Sequence, residues 1–379
     1  MKLPLSYRAL QAEVIITQTV TSMAIISIFF INIGLSQAQI GMSQAVFTAV
    51  LLIFNIPFGK LADRYSRRAL NALGDILAAS GFIWYYFATS FTEVIIIEIL
   101  IGLGLAASLG VDIALMRGYC HKYNLNYKKE SAKIFMVAPI VGVIGMAGAG
   151  FLASINIKLP FLVDASLFAI GALLTLLFRD FNEKLNAVSL KDLLHTSLFK
   201  DKKLSSRIFS LAIVRESTHA IVWLLAPLIL LANGPVWLAG IAWALMRGFA
   251  SVGAYITKFT DQHSAAKSII IPVVSFSLGT ILWSTGVLPL ILLGVVIIGA
   301  TVGYTKTIMG PMLAEVSDAK AQTTIASIST TISQLMYIPA VIGINWLASE
   351  FGYNIGLIAN VAIFGVLGLY MVTVLKKYP

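Results

Sequence analysis

Long apolar runs alternate with short polar breaks along the whole chain. The runs fall at about 9–33, 41–60, 69–88, 92–116, 133–155, 160–178, 208–232, 236–257, 268–286, 288–312, 323–348 and 353–375. A helix needs about 20 apolar residues to cross the hydrocarbon core of a bilayer, and these runs are close to that length. Backbone groups in lipid find no water, so each segment must satisfy its own hydrogen bonds. That requirement predicts helices rather than strands for runs this long. The expected fold is therefore all-α and polytopic, with twelve membrane-spanning helices. The first run is too long for a signal-peptide core and no small-residue cleavage site follows it, so it is read as a true span.

Composition narrows the class. The chain is 58% hydrophobic and only 12% charged, where soluble domains carry about 25% charged residues. A chain of 379 residues with that balance cannot hide its apolar surface in one aqueous fold, so lipid must cover the rest. The net charge of +10 would suggest nucleic acid in a soluble protein. Here the cations sit in short breaks between apolar runs, with no basic stripe interleaved with aromatics, so no nucleic-acid partner is expected. The single cysteine, Cys120, excludes an internal disulfide and reads as a small packing residue.

Cations fix the expected orientation. With both termini cytoplasmic, Lys60, Arg64, Arg67, Arg68, Lys122, Lys128, Lys129 and Lys133 lie inside, as do Arg179, Lys184, Lys191, Lys200, Lys202, Lys203, Arg207, Lys258, Lys267, Lys320, Lys376 and Lys377. The opposite loops hold only Lys158. Anchored cations resist translocation, so this asymmetry supports a multi-pass protein of the cell (inner) membrane. A monomer is expected.

The longest polar stretch divides the chain into residues 1–178, a linker at 179–207, and residues 208–379. Within the linker, Leu190, Leu193, Leu194 and Leu198 recur at helical spacing among lysines, which predicts an amphipathic helix on the inner leaflet. The halves echo one another. Gly41 opens the second run and Asp63 follows it; Gly240 opens the eighth and Asp261 follows it, with Thr257 where the first half has Gly59.

Between the second and third runs lies Gly59-Lys60-Leu61-Ala62-Asp63-Arg64-Tyr65-Ser66-Arg67-Arg68. It resembles the cytoplasmic G-x-L-x-D-R-x-G-R-(R/K) loop of the major facilitator superfamily of transporters. Gly59, Leu61, Asp63, Arg64, Arg67 and Arg68 match, and Ser66 replaces the second glycine. The resemblance implies two pseudo-symmetric six-helix bundles and secondary active transport by alternating access. Asp63 and Arg67 are four apart, where opposite charges pair on a helix. In family members the carboxylate also meets the start of span eleven, where a helix N-terminus favours negative charge. The resemblance thus implies a conformational latch of Gly59, Asp63, Arg64, Arg67 and Arg68, with Asp112 and Arg117 at the inner end of span four as further members.

Ionisable groups inside spans are costly and point to function. Glu98 lies in span four, Asp164 in span six, Arg247 in span eight and Lys306 in span ten. Arg215, Glu216 and His219 share a face of span seven. Glu13 and Asp75 lie within two turns of cytoplasmic ends and are expected to reach water. Imidazole and desolvated carboxyl side chains are the groups suited to carrying a proton, so Glu216, His219 and Glu98 are the proton-coupling candidates. Glu98 also stands where many antiporters of the resembling family carry an arginine in R-x-x-x-G. Arg215, Trp223, Arg247, Lys306 and Asp164 are the substrate-binding candidates, Trp223 as a stacking surface. Pro139, Gly142, Gly145, Gly148 and Gly150 give span five a small-residue face for close helix approach, without the Gly-Pro of exporters. Carboxylates favour the first half and cations the second, which suits an anionic or zwitterionic organic solute.

The expected function is export of a small organic solute against protons, with import or uniport as the alternative. An integral membrane enzyme is the reading from another class. The chain has no H-E-x-x-H, no G-x-S-x-G with a plausible triad and no Cys/His cluster, so neither catalysis, a metal nor a cofactor is expected.

Overall fold

The computed structural model describes residues 4–180, 201–260, 264–316 and 322–378. Among these residues every regular element is a helix. The first six apolar runs become α1 (Leu5–Thr17) with α2 (Ile26–Asn32), α3 (Gln37–Arg64), α4 (Arg67–Phe87), α5 (Phe91–Ser108) with α6 (Val111–Lys122), α7 (Tyr127–Ile155) and α8 (Leu159–Thr175). The last six become α9 (Lys202–Leu231), α10 (Val236–Ile256), α11 (Ala265–Ser284), α12 (Leu288–Ala314), α13 (Gln322–Phe351) and α14 (Tyr353–Lys377). Among the described residues nine helices are long and apolar enough to cross a bilayer, or ten when the bent pair α1–α2 counts as one. α8 is apolar but shorter. α4 buries Arg67, Asn71 and Asp75 along with its apolar residues. The protein is a multi-pass, all-helical membrane protein.

Contacts divide the chain into two units, Met1–Leu35 with Val46–Ala187, and Ser36–Ala45 with Val188–Pro379. The start of α3 therefore belongs with the second unit. There Gln37 donates to Asn345 Oδ1 at 2.7 Å and accepts from the Tyr353 hydroxyl at 3.0 Å. α9 begins at Lys202, earlier than the apolar run suggested, with Asp201 capping it through the amides of Lys203 and Leu204. Residues 181–200, which hold most of the expected amphipathic linker, and Asp261 of the expected echo lie outside the described residues.

In the first unit, span one is broken. α1 and α2 are bent by 44° across a short 3-10 turn at Ser22–Ala24. Asp164 of α8 holds the break: its carboxylate accepts from the Thr21 amide (2.8 Å), the Thr21 hydroxyl (2.7 Å) and the Ser22 amide (2.8 Å). Amides freed by unwinding a helix in lipid must find acceptors, and a fully buried carboxylate supplies them here. A second break follows α5, where Gly110 adopts φ 82, a left-handed conformation that suits glycine. α4 and α5 meet through backbone. A Cβ on Gly104 would sit 2.6 Å from the Gly74 carbonyl oxygen. On α7, Gly145 approaches Thr19 and Thr21, whereas Gly148 faces open space, so the small-residue face makes close contact at Gly145.

In the second unit, α10 and α12 approach more tightly still. A Cβ on Gly253 would overlap the Ala300 carbonyl oxygen, and one on Gly303 the Ala250 carbonyl oxygen. Leu204, Ile208, Leu211 and Val214 of α9 pack against Ile269, Val273, Tyr304 and Ile308 in the core beside this contact. Two glycines thus set the spacing between the helices that carry Arg247 and Lys306.

Candidate functional site

The second unit contains a cavity of about 200 Å³ lined by Arg215, Thr218, His219, Val302, Thr305, Lys306 and Met309. The lining follows helical periodicity. Arg215, Thr218 and His219 occupy one face of α9, at offsets of three and four, and Val302, Thr305, Lys306 and Met309 one face of α12. Two amphipathic stripes inside otherwise apolar helices face a common space.

Glu216 organises the α9 side. It is 2% exposed, so its charge needs partners. Oε1 lies 3.2 Å from Arg215 Nε, and Oε2 lies 3.2 Å from His219 Nδ1. The buried carboxylate holds the guanidinium and imidazole that line the cavity, while those two keep 31% and 40% side-chain exposure. Lys306 feels the positive charge of both Arg215 and Arg247. Arg247 Nη1 is buried with no hydrogen-bond partner. The cluster therefore gathers three fixed cations against one carboxylate, before any charge on His219. Like charges in a low-dielectric site repel strongly, so gathering these cations carries an electrostatic cost.

Of the sequence candidates, Arg215, Glu216, His219, Arg247 and Lys306 are thus brought together. Trp223 is placed elsewhere: it is 5% exposed and gives its indole N–H to the Tyr337 hydroxyl at 2.8 Å. Asp164 is in the first unit, committed to the broken span. Glu98, also in the first unit, is 4% exposed and lies beside the Tyr85 hydroxyl. Sequence reasoning missed Thr218 and Thr305. The signal was present, since each is a near neighbour of a candidate on the same helical face.

At the charged turn, Arg67 donates to Asp63 Oδ1 through Nη2 at 2.8 Å and Nε at 3.3 Å. Arg68 donates to the Phe178 carbonyl at 3.3 Å. Arg64 stacks over Tyr65, and Arg117 over Tyr127. Gly59 lies in α3 with nothing near its absent side chain. Ser66 needs no glycine there, because its φ of −160° is ordinary extended backbone. Instead its hydroxyl caps α4 by accepting from the Ala69 amide at 3.0 Å. The side chains at the start of span eleven, residues 317–324, lie outside the described ones.

Asp112 is brought toward Glu13 and Asp75. These last two do not reach water, as their position in the sequence suggested: Glu13 is 2% exposed and Asp75 1%. Distance from a helix end does not measure burial when four helices close around the position.

The family model described as Major Facilitator Superfamily matches residues 14–340. Among solved structures, a mutant of the nucleoside transporter NupG aligns with a TM-score of 0.82 at 14% identity, covering 98% of this chain and 99% of that one. A bacterial homolog to the human lysosomal transporter Spinster, inward-facing and unoccupied, aligns with a TM-score of 0.77 at 16% identity, covering 100% of this chain and 98% of that one. Identities this low carry the fold alone. A sequence search of curated proteins gives no significant match.

Proposed function

This chain belongs to the major facilitator superfamily; it is a secondary transporter of small molecules and not an enzyme, and on that premise we propose that it carries a small organic anion together with protons. The observation that supports the reading is a cavity lined by Arg215, His219 and Lys306, with Arg247 within electrostatic reach of Lys306 and the one nearby carboxylate, Glu216, already paired with Arg215 and His219. A carboxylate or phosphate group would supply the missing negative charge, with Thr218 and Thr305 as hydroxyl donors. About 200 Å³ suits a compact ligand or the head of a longer one.

The coupling reading follows from Glu216. A proton on its carboxylate would release Arg215 and His219 toward the cavity and add to the cation excess that faces the anion. Proton and anion would then raise each other's affinity, as linkage requires. Glu98 is the candidate for proton passage in the first unit. Export in exchange for protons is the second reading. An inside-negative potential favours it, since one charge crossing 100 mV is worth about 2.3 kcal/mol. The placement goes with this reading: an inner membrane, both termini cytoplasmic, a monomer of two six-helix bundles at 1–178 and 208–379 joined through 179–207. In it, Gly59, Asp63, Arg64, Arg67 and Arg68, with Asp112 and Arg117, latch the cytoplasmic side.

Reconstituted vesicles test it. Counterflow with small carboxylates, organic phosphates and neutral nucleosides should show competition by anions. An internal pH dye should then report protons moving with the solute. Competition by neutral solutes alone, undiminished in Arg247→Ala, would sink the anion reading. Protons moving opposite to the solute would replace co-transport with exchange.

A further inference from the structure

The first unit holds a second set of charges that the cation cavity does not use. Glu13 of α1, Asn71 and Asp75 of α4 are buried, at 2%, 0% and 1% exposure. Asn71 Nδ2 donates to Glu13 Oε1 at 3.1 Å, which ties the two helices together at this point. Three oxygens are left with no hydrogen-bond partner: Glu13 Oε2, Asp75 Oδ2 and Asn71 Oδ1. α8 closes the site with Gly171, where a Cβ would stand 2.9 Å from both Asp75 Oδ2 and the Thr17 methyl. Glu13 and Asp75 are therefore buried within electrostatic reach of each other, with Asn71 between their helices.

Among the described residues no cation pairs with Glu13 or Asp75. α6 contributes Asp112, another carboxylate. α8 contributes Gly171 and the hydroxyl of Thr175, which is given to the Ala172 carbonyl. On α7, Glu130 is paired with Lys133. On α4 itself, Arg67 is paired with Asp63. Two ionised carboxylates cannot stand together in such a space, because a buried charge needs a partner and like charges raise the cost further.

We propose that Glu13, Asn71 and Asp75 form a proton-carrying site inside the first unit, loaded and unloaded once per transport cycle. The orphaned oxygens are where the protons sit. Asn71 turns its amide to Glu13 and leaves its own oxygen to accept from a protonated carboxyl. The site lies on the α4 face that begins with Arg67: Arg67, Asn71 and Asp75 follow one another at steps of four. A change of charge at Asp75 is thus two turns from the Asp63–Arg67 pair on one rigid helix, which gives proton occupancy a physical route to the charged turn. The inference rests on the proton-coupled reading and adds, to the proton at Glu216, a second proton site in the first unit.

The test combines spectroscopy and transport on the full-length protein in vesicles. Infrared difference spectra between acid and alkaline buffer should show the carbonyl stretch of protonated carboxyl groups, and Glu13→Gln or Asp75→Asn should remove part of that band. The same variants should keep counterflow exchange yet lose accumulation driven by a pH gradient. Exchange reports folding; if one variant fails to fold, the other, with Glu13→Asp as the conservative control, carries the test. An unchanged band in both variants, or unchanged gradient-driven accumulation, overturns the proposal. Stabilisation by sodium chloride but not choline chloride, lost in Asp75→Asn, also overturns it and makes this a sodium site. If the wild type moves no protons with any solute while the band still responds to these variants, the coupling reading fails and the proton site stands as a local one.

Discussion

The cavity in the second unit and the buried cluster in the first are opposites in charge and alike in construction. Around the cavity, Arg215, Arg247 and Lys306 outnumber Glu216. In the cluster, Glu13, Asp75 and Asp112 gather with Asn71 and no cation. Asp164 shows what a satisfied charge looks like in the same protein. It is just as buried, yet three donors from one broken helix surround it. Asp164 is matched by donors of its own unit, whereas the two gathered sets of like charge are left short of partners, which is why we propose that each is completed by a transported species. A membrane interior makes this contrast sharp, because no solvent is at hand to fill the deficit.

The largest effects should come from removing the excess on the cation side. Arg247→Ala or Lys306→Ala should weaken anion binding by about 2–4 kcal/mol, the range for deleting one partner of a buried charge pair, read by calorimetry or radioligand competition. Binding of a neutral analogue should change far less. The empty protein should become more heat-stable in the same variants, because repulsion among the cations is relieved. Loss of stability together with unchanged anion affinity would mean that these cations brace the fold.

Next in size is the spacing that makes the cations converge. Gly303→Ala places a Cβ onto the Ala250 carbonyl oxygen, an overlap with backbone that helix separation must relieve. Overpacking of this kind costs about 1–3 kcal/mol, visible as a lower melting temperature, and should weaken anion binding too by moving α10 from α12. Gly148→Ala, on a face open to surroundings, is the matched control and should cost nothing measurable.

Asp63→Asn leaves Arg67, whose side chain is 5% exposed, without its carboxylate partner. Losing a hydrogen bond between charged groups costs about 1.5–3 kcal/mol, read as a lower melting temperature with insertion intact. Transport should fall, and distances between spin labels on the two units should shift. If transport and distances both hold, the pair serves only to fix the turn.

How far the sequence carried this picture depends on the range of each interaction. The apolar runs were legible because lipid imposes a length on every span. The Asp63–Arg67 pair and the Arg215–Glu216–His219 face were legible because helical spacing alone brings such residues together. The break in span one was not. The polar cluster Thr17, Gln18, Thr19, Thr21 and Ser22 sits inside an otherwise apolar run, and the acceptor for the freed amides is Asp164, far along the chain. The burial of Glu13 and Asp75 was hidden for the same reason, since it depends on Asn71 and Gly171 arriving from other helices. Trp223 read as a stacking surface because its partner Tyr337 is likewise distant. An apolar pattern cannot tell lipid from a neighbouring helix, since both present hydrocarbon.

The smallest expected effect separates the two kinds of cation that the acidic cluster can hold. In Gly171→Ala the new methyl would stand 2.9 Å from Asp75 Oδ2 and from the Thr17 methyl, so each must give by a few tenths of an ångström. A proton sits within bonding distance of its oxygen and takes no added volume, so a proton site should survive this change. A sodium ion needs several oxygens drawn around it at separate positions, and the methyl occupies the space beside one of them. Gradient-driven transport should therefore stay near wild type in Gly171→Ala, while Asp75→Asn abolishes it. Vesicle uptake under an imposed pH gradient, in sodium-free and sodium-containing buffers, gives the comparison directly. If Gly171→Ala loses driven transport as completely as Asp75→Asn but keeps exchange, the space itself is being used. The first unit would then bind an ion with a radius, and its likeness to the cation cavity would extend from construction to volume.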